Sequence, residues 1–154
     1  MNEPVEILLV EDNPHDVILT LDAFEQHKLS NKIHVARDGE EALNYLFCRA
    51  QYAHRDIGDR PKFVLLDLKL PKVDGIEVLR QIRADPRTNT IPVVILTSSK
   101  EDRDIAAGYK FGVNSYIVKP VDFEKFTESV RTLGLYWLLM NQAPLAPSMT
   151  GADI

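Results

Sequence analysis

Five short apolar runs, at residues 5–10, 33–36, 63–66, 91–96 and 115–118, alternate with longer polar or amphipathic segments. No two of the runs are joined by a hairpin turn. Runs of this length, too short for buried helices and apolar on both faces, read as strands inside a sheet. Strands separated by helix-length segments must run parallel, with their crossovers packed on the sheet. The chain is therefore expected to be an α/β domain whose parallel sheet is covered on both faces. In such sheets, ligands bind beyond the carboxyl ends of the strands.

The intervening segments carry helix signals. Asn13-Pro14-His15-Asp16 offers an N-cap, a proline at the first helical position and an acid in the first turn. Val17, Leu21 and Phe24 then fall on one inward face, with Ile18 beside them. Asp38-Gly39-Glu40-Glu41 resembles a capping box ahead of Ala42, Leu43, Leu46 and Phe47, with Cys48 packing on the apolar side of that helix. Residues 51–61 are polar and longer than an ordinary connection, which marks an insertion available to a partner. Ile76, Leu79 and Ile82 line a third helix that Asp85-Pro86 stops. A fourth helix over 100–110 has little apolar surface and is a candidate for movement. Asp122 caps a last helix containing Phe123, Phe126, Val130 and Leu133. Residues 1–141 are expected to form one domain with an extended C-terminal helix, and 142–154 a flexible tail rich in Pro, Ala and Ser.

Composition narrows the function classes. The 154 residues are 45% hydrophobic and 27% charged, as in an ordinary soluble globule, and the net charge of −5 argues against nonspecific binding to nucleic acid or anionic membranes. One cysteine excludes an internal disulfide. No signal segment and no run of about 18 apolar residues is present, so a cytoplasmic protein is expected.

The polar residues at the strand ends are Glu11, Asp12, Asp67, Thr97 and Lys119. Singly, each has a bland reading. The first two acids suit a helix dipole, Asp67 a turn, Thr97 a cap, and Lys119-Pro120 a loop. Jointly they are harder to dismiss. Three carboxylates at one sheet edge raise one another's pKa, and a hard cation such as Mg²⁺ removes the conflict. With the Lys119 charge and the Thr97 hydroxyl, the set suits a phosphoryl group carried on a carboxylate, with Asp67 as nucleophile.

That set, followed by Leu68-Lys69-Leu70-Pro71 and Asp74-Gly75, resembles the receiver domain of two-component response regulators over residues 5–133. The resemblance implies a flavodoxin-like fold, a five-stranded sheet of order 2-1-3-4-5, and phosphorylation of Asp67. By position, Asp12 would ligate Mg²⁺ directly, Glu11 through water, and Lys69 through its backbone carbonyl. Thr97 and Lys119 would contact phosphoryl oxygens, and Thr97 with Tyr116 would form the switch. Glu11 stands where the family more often has Asp, and Ser98 where Ala or Gly is frequent. Neither change breaks the chemistry. Residues 36–43, the 51–61 connection and Tyr136-Trp137-Leu138 resemble the stand-alone regulators of cyanobacterial phytochromes. That implies a phytochrome-type sensor histidine kinase as partner. Little chain follows Leu133, so output through protein contacts rather than a DNA-binding or catalytic domain is expected.

Three rivals are weaker. A haloacid-dehalogenase-like phosphohydrolase would need an acid two residues after its nucleophile, where Lys69 stands. A pseudo-receiver, kept only for binding, would lack a phosphorylation residue, and none is missing. A flavin phosphate would be repelled by the acidic Glu11-Asp12 loop. His15, His27, His34 and His54 are scattered and read as ordinary surface or strand residues. Residues 133–140 are apolar except Gly134, more than one sheet face can use, so homodimerisation through Tyr136, Trp137 and Leu138 is expected.

Overall fold

Every residue from Ile7 to Val10 and from Phe63 to Asp67 is buried, as strands with a layer on each face require. The computed structural model describes residues 7–26, 32–97, 113, 115–119, 124, 125 and 128. Within them β1 (Ile7–Val10), β2 (Ile33–Ala36), β3 (Phe63–Asp67), β4 (Val93–Thr97) and β5 (Ser115–Val118) pair in parallel, in the order β2-β1-β3-β4-β5. The α/β class and the expected order both hold.

The pleat divides the core between the two faces. Leu8, Val10, Val64, Leu66, Val93 and Ile95 point to one side, where α2 (Gly39–Leu46) and α3 (Gly75–Ala84) pack. Ile7, Leu9, Phe63, Leu65, Val94 and Leu96 point to the other, against Val17 and Phe24 of α1 (Pro14–Gln26). Each such side chain contributes roughly 1.5–3 kcal/mol by leaving water.

The helix starts are those the sequence signals. Asn13 Oδ1 accepts from the amides of His15 and Asp16 at 2.8 and 3.2 Å. Asp38 accepts from Glu41 N at 2.7 Å, and Asp74 from Glu77 N at 2.9 Å. The capping box closes one residue early: Glu41 Oε1 takes the amide of Arg37, at 3.0 Å, instead of that of Asp38. Extended backbone at Asp85 ends α3.

Three expectations gain detail. Ile18 is 57% exposed, because its position on α1 lies a full 100° step from the buried Val17. Cys48 lies just beyond the end of α2, half-buried and with φ 57°. The 51–61 segment is mostly exposed, as an insertion available to a partner would be, yet it is anchored on its own domain. It starts within a single 3₁₀ turn, Ala50–Tyr52, and folds onto its own domain. Tyr52 donates its hydroxyl to Glu41 Oε2 at 2.6 Å and meets His34 Nε2 at 2.9 Å. Arg55 donates to the Tyr45 carbonyl and lies 3.8 Å above that ring, while Ile57 packs on the core. His34 is a strand residue, as expected, stacked on Tyr45 with centroids 4.2 Å apart.

Helical backbone recurs at Glu124, Lys125 and Glu128. The helix expected over 100–110, the Asp122 cap, the 133–140 segment with Tyr136, Trp137 and Leu138, and the 142–154 tail lie outside the described residues. No helix among the described residues is long and apolar enough to cross a membrane.

Candidate functional site

Strand register brings the polar strand ends together. Val10 pairs with Leu66, so Glu11 and Asp67 emerge level at the carboxyl edge of β1 and β3. Asp67 pairs with Leu96 and Thr97 with Val118, so Thr97 and then Lys119 step outward from the same edge. Glu11 is wholly buried and Asp67 is 6% exposed, whereas Asp12 faces solvent. Thr97 and Tyr116 are placed by backbone only, Tyr116 opposite Ile95; their side chains lie outside the description.

Lys119 is the hub. Its Nζ lies 2.7 Å from Glu11 Oε1, 3.0 Å from Asp67 Oδ2 and 3.2 Å from Asp16 Oδ2. Asp67 Oδ1 accepts the amide of Lys69 at 3.2 Å, and Glu11 Oε2 that of Asn13 at 3.2 Å. The ion pair aside, Glu11 Oε1 has no hydrogen bond, although it is buried. Burial pushes the Glu11 carboxyl up; the Lys119 hydrogen bond opposes this and the Asp67 charge adds to it, leaving the group at about 7. Burial pulls Lys119 down, but its bonds to Glu11 and Asp67 outweigh that and hold it above the usual lysine range.

The acids suit a cation. Glu11, Asp12 and Asp67 each offer an oxygen, all within 4.8 Å of one another. Hard divalent ions take such all-oxygen sets, and the under-bonded Glu11 Oε1 has ligand capacity to spare. These residues therefore fit a divalent metal. They border a cleft of about 520 Å³ that Lys69 and Lys119 also line.

One glycine sets how closely the next helix approaches. A Cβ on Gly75 would strike the Asp67 carbonyl oxygen and stand 2.5 Å from Leu68 Cα. The Gly75 amide instead donates to Leu68 O at 2.9 Å, tying the start of α3 to the turn after Asp67. The residue that sequence reasoning passed over is Asp16, read only as a first-turn acid; its partner Lys119 lies 103 residues away, so no local spacing signals the contact.

Residues 7–131 match the model of the response regulator receiver domain. The chain belongs to the receiver-domain family of response regulators. Among its relatives, the probable methanogenesis regulatory protein FilR2 of Methanothrix harundinacea is 45% identical over 143 residues, spanning 92% of this receiver and 89% of the relative. Response regulator Rcp1 of Synechocystis sp. is 35% identical over 145 residues, 94% of this receiver and 97% of Rcp1. The bacteriophytochrome response regulator AtBRR superposes with a TM-score of 0.81 at 50% identity, covering 92% of this receiver and all (100%) of that chain. The Mn(2+)-bound form of Rcp1 superposes at 0.72 with 34% identity, covering 93% of this receiver and 100% of that chain. A divalent-metal site at the acidic edge and a signalling role in a two-component system with a kinase partner accord with that membership.

Proposed function

We propose that this receiver accepts a phosphoryl group on Asp67 from a sensor histidine kinase, in a Mg²⁺-dependent reaction. The observation that carries the reading is Lys119 Nζ held between Glu11 and Asp67 at 2.7 and 3.0 Å, above a carboxylate cluster that fits a cation. An Asp67 carboxylate oxygen forms the new bond to phosphorus as the bond from phosphorus to the donor's imidazole nitrogen breaks. The electron pair of the broken bond leaves with that nitrogen. Lys119 offsets charge on the phosphoryl oxygens and the Lys69 amide steadies the other Asp67 oxygen. Glu11, Asp12, Asp67 and the Lys69 carbonyl would hold Mg²⁺, which supplies the remaining charge neutralisation.

The kinase is of the phytochrome type in this reading, supported by the 50% identity to the bacteriophytochrome response regulator AtBRR. Phosphorylation is read out by Thr97 and Tyr116: the threonine moves toward the phosphoryl group and the tyrosine ring fills the space it leaves. Tyr136, Trp137 and Leu138 support homodimerisation and output by protein contacts in the cytoplasm; the downstream partner is a protein rather than nucleic acid or membrane. The test is transfer of labelled phosphate from a phosphorylated kinase. Wild type takes up label with Mg²⁺, Asp67→Asn takes up none, and a panel of kinases identifies phytochrome kinases as the fast donors. Label on Asp67→Asn would refute the acceptor assignment, and fast transfer only from other kinases would refute the phytochrome pairing.

A further inference from the structure

We propose that Asp16 is a positioning residue for Lys119, the partner that Lys119 releases when a phosphoryl group occupies Asp67. The inference rests on the phospho-acceptor reading above.

An ammonium has three N–H donors and no acceptor. In this receiver three carboxylates surround it: Glu11 at 2.7 Å, Asp67 at 3.0 Å and Asp16 at 3.2 Å. Lys119 is therefore fully committed before any phosphoryl group arrives. A phosphoryl oxygen on Asp67 competes for the ammonium with carboxylates already in place. Glu11 is wholly buried, and its Oε1 has no other bond, so losing Lys119 would strand a buried charge. Asp67 is the acceptor itself, and its charge passes to the phosphoryl group that it carries.

Asp16 differs from both. It comes from the first turn of α1 rather than from a strand end, its side chain is 26% exposed, and its contact is the longest. Water and the positive end of α1 both stabilise its carboxylate once Lys119 has left. Asp16 is thus the displaceable ligand of the hub. While in place it holds the ammonium at the cleft that both residues line, and its negative charge competes with the incoming anion. Asp16 sets how much of the lysine's charge a phosphoryl group can claim.

Beryllofluoride, a phosphoryl mimic that binds an aspartate carboxylate, gives a readout independent of turnover. Its affinity for the full chain with Mg²⁺ is measured by fluorine NMR in wild type, Asp16→Asn, Asp16→Ser and Asp16→Glu. Removing the competing charge should tighten binding about 2- to 5-fold in the Asn and Ser variants, the range of a solvent-accessible ion pair. Asp16→Glu should return toward wild type. The difference should shrink at high salt, because a partly exposed charge is screened. Unchanged or weaker binding in the Asn and Ser variants would overturn the proposal, as would a Glu variant that behaves like Asn. A wild-type protein that binds beryllofluoride beside unresponsive variants removes the role of Asp16 alone. Failure of wild type to bind it at all removes the phospho-acceptor reading as well.

Discussion

Glu11 is a wholly buried carboxyl beside a second acid, Asp67. Its carboxyl, ordinarily near 4.5, is raised by burial to about 7. A raised folded-state pKa means that its contribution to stability is complete below about 4.5 and is lost as pH rises through about 7. Metal-free receiver should therefore lose about 1–3 kcal/mol between pH 5 and pH 8 in urea titrations. Glu11→Gln should flatten that slope, and Mg²⁺ at pH 8 should restore part of the loss in wild type. An equal slope in the variant would assign the effect elsewhere. Glu11, Asp67 and Lys119 were legible in the sequence because each follows directly on an apolar run, where a strand must surface, and Asp12 because it adjoins Glu11. Asp16 was not, since its meaning depends on Lys119, 103 residues away, and no local pattern records that contact.

At the scale of elements, the turn between β3 and α3 joins scaffold to chemistry. Gly75 must lack a Cβ for α3 to start against the end of β3. Gly75→Ala should cost about 1–3 kcal/mol through overpacking and also slow phosphorylation, because the displaced atoms adjoin Asp67. Asp74→Ala removes only the cap bond to Glu77 and should cost about 1 kcal/mol with little effect on the reaction. Denaturation midpoints and labelling rates for both variants separate the two effects. The Asp74 cap emerged with the structure, whereas the helix starts capped by Asn13 and Asp38 could be read directly. The 51–61 segment could not, because Tyr52 is held by Glu41 and His34, partners 11 and 18 residues back that carry no helical or strand period with it. Tyr52→Phe deletes those hydroxyl bonds and should destabilise the fold by about 1–2 kcal/mol, measured by urea titration. Unchanged stability would mean that the insertion is held by Arg55 and Ile57 instead.

For the whole molecule, alternation of apolar runs and helix signals was enough to establish a parallel sheet with two covered faces. It did not order the strands; 2-1-3-4-5 followed from the family resemblance, and the register that levels Glu11 with Asp67 emerged only in three dimensions. The two half-cores meet through the sheet whose strand ends carry the site. Its central feature is one carboxylate at the end of the middle strand, flanked by a lysine and a cation-binding edge. The most direct measurement is to phosphorylate the protein with a histidine kinase and Mg²⁺, reduce the acyl phosphate with borohydride, and map the product by mass spectrometry. Reduction confined to Asp67, and lost when Mg²⁺ is chelated, is the predicted result. Modification at another residue, or the same yield at Asp67 without a divalent ion, would contradict the account.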